Sequence, residues 1–410
     1  MEEVKQKYIF VLGREIELCL AEVKAVLEYF GICFDIDSVS DNIAFINLQI
    51  SADSIKDLAE RLSGTTKIFR LCSGESNFDD LYPTILEEMR QKFLIKDFAL
   101  SSYSDIDLSK INRLGFAIKS NLKKSGRSTR YIELKGSTEV SAPLSKNLYS
   151  TKKIEYAVFG REDQYVFGRL VWAYDPDRWS EIDYGKPRSD KMSGMLPPKL
   201  ARAMINLALG QTKGQDASCL VIDPFCGSGS VLIEAMSLRL DSFGSDISLL
   251  AIEDSKVNIE WFAKKFLSLS SIPFSYIDKI DAKSEKLIDS LSPIIVKYDN
   301  AILVGEPYLG RPKRESEEMS SVQDEYVLIK KLYLDFLANA AKLAVKPVIC
   351  LVFPVVETLE RKKYDLYAEI VDEIKKLGYI ELCTPLVYGR GYQVVKRQIC
   401  ILQLPITKIQ

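Results

Sequence analysis

The stretch that decides the fold reads Val221-Ile222-Asp223-Pro224-Phe225-Cys226-Gly227-Ser228-Gly229-Ser230. It follows the start of the apolar run 219–222 and precedes 231–236, which has apolar faces at helical spacing. The stretch therefore predicts a short buried strand, a glycine-rich turn and a helix. The glycines let a ligand approach the backbone, and the helix N-terminus offers free N–H groups. Asp223 would repel a phosphate, and the lysine of a phosphate-binding loop is absent. The turn therefore favours a ligand with a cationic or hydroxyl-rich end; the alternative is a turn that only joins strand to helix.

With the Ile233-Glu234-Ala235 helix that follows, this stretch resembles the cofactor motif of class I methyltransferases, which bind S-adenosylmethionine. The form of the motif is similar to that of amino-methyltransferases acting on nucleic acid bases, and among these to THUMP-domain RNA methyltransferases. The preceding run, residues 195–208, resembles the segment that packs near the methionine end of the cofactor in the same family. The cofactor residues that follow from the resemblance and from the strand ends discussed below are Pro197, Asp223, Phe225, Cys226, Gly227, Gly229, Asp246, Ile247, Asp281 and Ala282.

Composition narrows the class of protein. The chain has 410 residues, 47% of them hydrophobic and 27% charged, which predicts two to three domains with real cores. It has no apolar run near 18 residues and no signal-peptide core at its start, so we expect no membrane span. The eight scattered cysteines are typical of reduced thiols in a cytoplasmic protein. The absence of histidine argues against metal hydrolysis and histidine-dependent nucleophilic catalysis, and we predict no metal site.

Charge is distributed unevenly along the first part of the chain. Residues 1–109 carry 11 Lys/Arg against 20 Asp/Glu, whereas residues 110–161 carry 12 against 3. Such a basic block is typical of a localised phosphate-binding face, although a solvated helix face would have the same composition. The predicted RNA contacts are Lys119, Lys123, Lys124, Arg127 and Arg130 in this block, and Arg311, Lys313 and Arg314 in a later charged loop.

The hydrophobic pattern divides the chain into four regions. Residues 1–64 predict a small α+β region, ferredoxin-like, whose start resembles that of archaeal-type tRNA guanine-N2 methyltransferases. Residues 65–174 predict a second α+β domain ending in a hairpin, and its basic helix resembles a THUMP RNA-binding domain, which in that family holds the 3′ end of the tRNA acceptor arm. Residues 175–194 lack periodicity and predict a linker, and the resemblance implies that 195–410 form the methyltransferase domain.

Strands and helices alternate from residue 219 onward, which predicts a doubly wound parallel sheet. The predicted strands lie near 219–223, 242–246, 274–278, 300–304, 347–353, 380–388 and 397–404. The connection between the last two is too short for a crossover, so they should form an antiparallel hairpin. The predicted fold class is thus α/β: a Rossmann-like, seven-stranded class I methyltransferase domain with an antiparallel terminal hairpin, preceded by the N-terminal and THUMP-like regions.

Acidic residues end three successive strands of this sheet. Asp246 lies 23 residues after Asp223, where an acid meets ribose hydroxyls in dinucleotide-type folds. Asp281 follows the third strand and could accept a hydrogen bond from an adenine amino group. Asp223 would face the cationic methionine end.

The fourth strand ends in Gly305-Glu306-Pro307-Tyr308, where amino-methyltransferases carry Asp/Asn-Pro-Pro-Tyr. A ring-conjugated amine is a poor nucleophile, so an acceptor on its N–H groups and an aromatic ring against the base assist an in-line displacement. Pro307 and Tyr308 match the family pattern, but the carboxylate is displaced by one residue to Glu306. The predicted catalytic residues are Glu306, Pro307 and Tyr308; Cys226 lies in the cofactor turn and is not assigned as a nucleophile.

These observations predict an S-adenosylmethionine-dependent methyltransferase that acts on tRNA at the exocyclic N2 of a guanosine, with position 10 implied only by the family. Two alternatives stay open: a DNA methyltransferase acting on adenine N6 or cytosine N4, and an RNA-binding protein without catalysis. The sequence also leaves open whether a protein subunit accompanies the chain.

Overall fold

The computed structural model describes residues 5–51, 54–91, 95–149, 152–162, 164–188, 195–268, 272–313, 319–358, 363–390 and 393–405. The elements up to residue 184 are β1 (Lys5–Leu12), α1 (Ile16–Tyr29), β2 (Phe34–Ser40), β3 (Ile43–Gln49), α2 (Ser54–Arg61), β4 (Thr65–Leu71), α3 (Phe78–Arg90), β5 (Asp97–Ser104), α4 (Leu108–Lys124), β6 (Arg130–Tyr131), α5 (Ala142–Leu148), β7 (Lys153–Arg161), β8 (Gln164–Ala173) and α6 (Pro176–Tyr184).

The remaining elements are α7 (Pro198–Leu209), β9 (Cys219–Asp223), α8 (Ser230–Ser237), β10 (Asp241–Asp246), α9 (Leu249–Phe266), β11 (Ser275–Lys279), α10 (Glu285–Ile295), β12 (Asn300–Gly305), α11 (Met319–Ala340), β13 (Val348–Glu357), β14 (Lys363–Asp365), α12 (Leu366–Lys376), β15 (Ile380–Glu381), β16 (Leu386–Tyr388) and β17 (Val395–Gln403). The chain forms two compact units. Unit 1 comprises Met1–Ile16, Ile32–Glu60 and Gly64–Arg178; unit 2 comprises Glu17–Gly31, Arg61–Ser63 and Trp179–Gln410.

Unit 1 is built on one eight-stranded sheet in the order β2-β3-β1-β4-β8-β7-β5-β6. Strand β1 pairs antiparallel with both β3 and β4, so strands from the predicted N-terminal and THUMP-like regions share the sheet. The predicted hairpin of β7 and β8 is confirmed, with Arg161 opposite Gln164. Helices α3 and α4 bury apolar faces against β5, β7 and β8 because their apolar residues recur at helical spacing.

Unit 2 is built on a sheet in the order β11-β10-β9-β12-β13-β17-β15, with β14 added to β13 and β16 to β17. The first five strands run parallel, and β17 runs antiparallel to β13. Alternate residues of β9 enter two different cores: Leu220 and Ile222 one, Cys219 and Val221 the other. Both faces are therefore covered by helices, and the carboxyl ends of β9, β10 and β12 meet at one edge.

The structure confirms the predicted parallel sheet and terminal hairpin, but it has more strands than the seven predicted. Strand 380–388 is divided into β15 and β16, because Pro385 cannot donate to the ladder, and β14 pairs with the end of β13. Strands β2 and β4 were not predicted from the sequence; β2 is an exposed edge strand and needs little apolar surface. The predicted linker contains α6, and residues 189–194 lie outside the described residues. No helix among the described residues is both long and apolar enough to cross a bilayer.

Candidate cofactor and substrate site

The glycine turn joins β9 to α8, as the sequence predicts. Gly227 and Gly229 both have left-handed backbone angles, with φ of 49° and 89°, which favour glycine. A Cβ atom added at Gly229 would lie 2.7 Å from the Ser255 Oγ atom, so this part of the turn packs tightly on α9. A Cβ atom added at Gly227 would meet nothing within 4 Å. The turn is thus held on one side and open at Gly227, where a ligand can approach the backbone.

Asp246 ties the glycine turn to the end of β10. Its Oδ2 atom accepts from the Gly227 N–H at 3.1 Å, and its Oδ1 atom accepts from the Ser248 N–H at 2.8 Å at the start of α9. Each carboxylate oxygen has a further lone pair, so the group can also accept from ligand hydroxyls. The next residue, Ile247, exposes 66% of its surface beside this carboxylate. The pair offers one polar and one apolar contact for a nucleoside.

Asp223 is buried at the end of β9, with 2% of its surface exposed. Its Oδ1 atom accepts from the Phe225 N–H at 3.0 Å. Burial raises the pKa of Asp223 well above its ordinary value, and the negative charges of Asp246 and Glu306 raise it further. A cationic ligand would favour the ionised carboxylates because it offsets both effects. This edge of the sheet is therefore suited to a positively charged ligand such as a sulfonium.

The residues that follow β11, Ile280 to Lys283, form a turn. The Asp281 Oδ1 atom accepts from the Lys283 N–H at 2.9 Å, and the Ile280 N–H donates to the Asp246 carbonyl at 3.0 Å. Ala282 is buried, and its carbonyl accepts from the Asn339 side chain at 3.0 Å. The structure thus connects this turn directly to the end of β10.

Several residues that hold the glycine turn have no local motif that could have revealed them. The Asn258 amide on α9 donates to the carbonyl oxygens of Ser228 and Arg188, each at 2.9 Å. The Ser228 hydroxyl contacts the Met195 sulfur at 3.2 Å, just before Pro197 and α7. Cys226 is buried, and burial raises the pKa of its thiol well above the ordinary value. It therefore stays a neutral part of the turn.

Gly305 lies so close to the Asp223 carboxylate that a side chain here would require that carboxylate to shift. A Cβ atom at this residue would lie 2.9 Å from the Asp223 Oδ1 atom, closer than a carbon and an oxygen normally pack. An aspartate or asparagine here would also bring its polar group towards Asp223. The close approach of β9 and β12 is therefore compatible with the glycine that replaces the family's Asp/Asn, and the displaced carboxylate belongs to Glu306.

Glu306 forms a bidentate ion pair with Arg397 of β17. The Arg397 Nε atom donates to Glu306 Oε2 at 2.5 Å, and Nη2 donates to Oε1 at 3.1 Å. The two side chains are only 12% and 15% exposed. Burial raises the pKa of Glu306 above its ordinary value, and the guanidinium opposes this by stabilising the carboxylate. Arg397 therefore fixes the orientation of Glu306 and favours its charged form.

Tyr308 is the exposed member of the motif, with 57% of its surface accessible, whereas Pro307 is buried. The following carbonyl, of Leu309, accepts from the Tyr326 hydroxyl at 2.6 Å. The backbone after the ring is thus anchored to α11. The ring itself has an open face on which a base can stack.

The charged loop that follows Tyr308 has intramolecular ion pairs and is not simply solvated. Arg311 and Lys313 both pair with Glu325 of α11; the Arg311 Nε to Glu325 Oε2 distance is 3.3 Å. The Lys313 side chain is fully buried, so it is not available as a phosphate contact in this arrangement. Arg311 is half-exposed, and Arg314 lies outside the described residues.

The basic residues of unit 1 divide into two kinds. Lys123 and Lys124 are exposed in the last turn of α4, and Lys119 is half-buried one turn earlier. Arg127 instead donates to the carbonyls of Met89 (3.1 Å) and Arg90 (2.7 Å), so it caps α3. Arg130 is exposed and pairs with Asp97 at 3.0 Å. The lysines of α4 are the better candidates for phosphate contacts.

We expect Asp246→Ala to weaken binding of S-adenosylmethionine by ~10- to 100-fold, because a hydrogen bond to a charged group contributes about 1.5–3 kcal/mol. Isothermal calorimetry measures this directly. Asp278→Ala is the matched control, since that aspartate lies on the neighbouring strand and is partly exposed. Equal affinities for wild type and Asp246→Ala would contradict the placement of the ribose at this carboxylate.

Comparison with known proteins identifies the class of the domain that contains the glycine turn. Residues 186–254 match the family model described as RMKL-like, methyltransferase domain. The tRNA (guanine(10)-N2)-dimethyltransferase of Methanocaldococcus jannaschii is 28% identical over 311 residues, which are 72% of this chain and 80% of that protein. The tRNA (guanine(10)-N2)-dimethyltransferase of Methanothermobacter thermautotrophicus is 24% identical over 343 residues, 82% of this chain and 85% of that protein.

Among solved structures, TrmN from Thermus thermophilus matches with a TM-score of 0.52 at 16% identity, over 97% of this chain and 100% of that chain. The predicted class I methyltransferase fold is thereby confirmed. The matched domain contains the glycine turn and Asp246, so the chain carries a methyltransferase domain. The resemblance to tRNA guanine-N2 methyltransferases is confirmed by the two relatives named above.

Proposed function

We propose that this protein is an S-adenosylmethionine-dependent tRNA methyltransferase that methylates the exocyclic N2 of a guanosine, at position 10 as in the names of its relatives. The observation that carries the proposal is the meeting of Asp223, Asp246 and Glu306 with the exposed ring of Tyr308 at one edge of the parallel sheet. Asp223 and Asp246 suit a cationic nucleoside, and Glu306 and Tyr308 suit an aromatic amine.

The residues at the carboxyl edge fit the cofactor. Gly227 leaves the backbone open to a ligand, Asp246 offers acceptors to ribose hydroxyls, and Asp281 follows the neighbouring strand as a candidate for the adenine amino group. Ile247 supplies exposed apolar surface, and Asp223 supplies negative charge for the sulfonium. When bound, S-adenosylmethionine supplies the electrophilic methyl group.

The substrate residues act on the amine rather than on the cofactor. Tyr308 stacks on the guanine, and Glu306 accepts a hydrogen bond from its amino group. The bidentate pair with Arg397 uses one lone pair on each Glu306 oxygen, so further acceptor sites stay open. The nitrogen loses one proton for each methyl group that it gains, and a buried carboxylate with a raised pKa is a suitable acceptor for that proton. No metal ion is needed for this chemistry.

The tRNA is held by unit 1, whose predicted THUMP-like region, residues 65–174, contains the basic helix α4. Its lysines supply affinity for phosphates without reading the sequence. All eight cysteines are free thiols, as suits a protein that acts on tRNA in the reducing cytoplasm.

We expect Lys123→Glu/Lys124→Glu to weaken tRNA binding and to reduce its salt dependence, because fewer counterions are released; each lost phosphate contact lowers the slope of log K against log salt by ~0.7–0.9. The matched control is Lys375→Glu/Lys376→Glu, an equal charge change in the last turn of α12. Binding is measured by fluorescence anisotropy at several salt concentrations. If both double variants bind alike, the basic face of α4 is only a solvated surface.

The deciding experiment uses a tRNA transcript, labelled cofactor and nucleoside analysis of the product. We expect N2-methylguanosine, and no transfer when inosine replaces the target guanosine, because inosine lacks the 2-amino group. Transfer to duplex DNA would instead favour a DNA methyltransferase. Binding of both ligands without transfer to any tRNA would favour an RNA-binding protein without catalysis.

A further inference from the structure

Unit 2 has a hollow of about 410 Å³ at the opposite end of its sheet from the site described above. It lies at the amino ends of β9 and β10, and its volume falls within the ~300–1,000 Å³ range of small-molecule sites. The residues of its wall that matter here are Tyr29, Phe30, Arg61, Arg239, Asp241 and Tyr298. No residue of this hollow takes part in the proposed methyl transfer.

Arg61 is the unusual group of the hollow. Its guanidinium carbon lies 5.0 Å from the ring centroid of Tyr29 and 5.4 Å from that of Phe30. Its Nε and Nη2 atoms are buried, and among the described residues they have no hydrogen-bond acceptor. Leaving a buried donor unsatisfied costs about 1–3 kcal/mol, and more for a charged group. The stacking holds the guanidinium in place while these two N–H groups lack an acceptor.

A second arginine is placed in the same wall by a costly backbone conformation. Arg239 directly follows Leu238, the C-cap of α8, with φ of 63°. The residue that ends a helix in this conformation is usually glycine, since other residues pay roughly 1–2 kcal/mol for it. This conformation places the Arg239 side chain at the wall of the hollow.

The acidic residues of the hollow do not neutralise Arg61. Asp241 accepts from the Phe274 N–H at 2.7 Å and from the Tyr298 hydroxyl at 2.8 Å, so both of its oxygens are engaged. Asp216 lies exposed at the wall, where water and salt screen its charge. Within the described part of the chain, no carboxylate accepts from the Arg61 Nε or Nη2 atoms.

We propose that this hollow binds a phosphate group of a nucleotide, with Arg61 as the buried anchor and Arg239 as the second cation. Guanidinium groups match phosphate oxygens in pairs of parallel hydrogen bonds, which supplies the acceptors that Arg61 lacks. The phosphate comes from a free mononucleotide or from an RNA backbone. This inference does not depend on the methyl-transfer function.

The test titrates the full-length protein with cytidine 5′-monophosphate by calorimetry, with S-adenosylhomocysteine saturating the cofactor site. Cytidine and inorganic phosphate are the comparison ligands. We expect the monophosphate and phosphate to bind and cytidine not to bind. Displacement of the bound monophosphate by oligocytidylate identifies an RNA backbone as the source, and failure to displace it identifies the free nucleotide.

Two variants connect binding to the arginines. Arg61→Gln should weaken monophosphate binding at least ~10-fold, the value of one charge-assisted hydrogen bond. Arg239→Gly should weaken it too while the protein stays folded, because glycine suits the backbone at that position; its melting temperature is the check. Wild-type affinity in Arg239→Gly, or no binding of either phosphate compound by the wild type, would overturn the proposal and leave water as the partner of Arg61.

Discussion

Glu306→Ala is expected to slow methyl transfer to tRNA by about 10²- to 10³-fold, or about 3–4 kcal/mol of barrier, the usual contribution of one positioned polar group in an active site. In the proposed mechanism, the amine of guanine would lose the acceptor that makes it a better nucleophile. Transfer is measured under single-turnover conditions with saturating cofactor, so that product release does not mask the chemical step.

Two further variants separate this role from a structural one. Glu306→Gln should cost less than Glu306→Ala, because an amide oxygen still accepts a hydrogen bond. Glu357→Gln is the matched control, since Glu357 also pairs with a cation of β17, Lys396, at 2.6 Å. We expect that control to transfer methyl groups at the wild-type rate. A wild-type rate in Glu306→Ala would mean that backbone carbonyls alone hold the amine.

Arg397→Ala is expected to destabilise unit 2 by about 3–5 kcal/mol at neutral pH, because it leaves the buried Glu306 carboxylate without its partner. The midpoint of urea unfolding, monitored by tryptophan fluorescence, measures the loss. The double variant Arg397→Ala/Glu306→Gln should recover much of it, since no unpaired charge is then buried. Arg397→Lys retains the charge but loses the bidentate geometry, so its loss of stability should be smaller than that of Arg397→Ala. If Arg397→Ala unfolds like the wild type, the ion pair contributes nothing net to the fold.

The pH dependence of this loss has a definite sign. Burial raises the pKa of Glu306 in the folded protein, and the removal of Arg397 raises it further. A carboxyl group with a raised folded pKa is best tolerated when it is protonated, and its penalty grows as pH rises through the folded value. The stability deficit of Arg397→Ala should therefore shrink on acidification. A deficit that is constant with pH would mean that lost packing, rather than an unpaired charge, causes the destabilisation.

The sequence predicts those parts of the site that depend on local pattern. Asp223, the glycine turn and Asp246 follow from apolar runs of strand length and from the rule that parallel strands end at one edge. The pair of Glu306 with Arg397 could not be predicted in this way. The two residues are 91 positions apart, and their meeting depends on the register of β17 against β13.

The distribution of charged residues predicts phosphate contacts less well than the hydrophobic pattern predicts strands and helices. Lys313 and Arg127 belong to basic runs that suggest phosphate contacts, yet one pairs with Glu325 and the other caps α3. A run of charges does not show which members have an intramolecular partner, because that partner lies in another element. Strand β2 was not predicted because its residues are mostly polar and exposed. An edge strand can be polar and still pair with its neighbour.

The position of β17 in the sheet affects how unit 2 can fold during translation. This strand lies between β13 and β15, both of which precede it in the chain, and it also supplies Arg397. During synthesis on the ribosome, β13 therefore has no partner on this side until β17 has emerged. Its apolar edge is exposed to other nascent chains during that time. Glu306 therefore gains its Arg397 partner only after β17 has paired with β13.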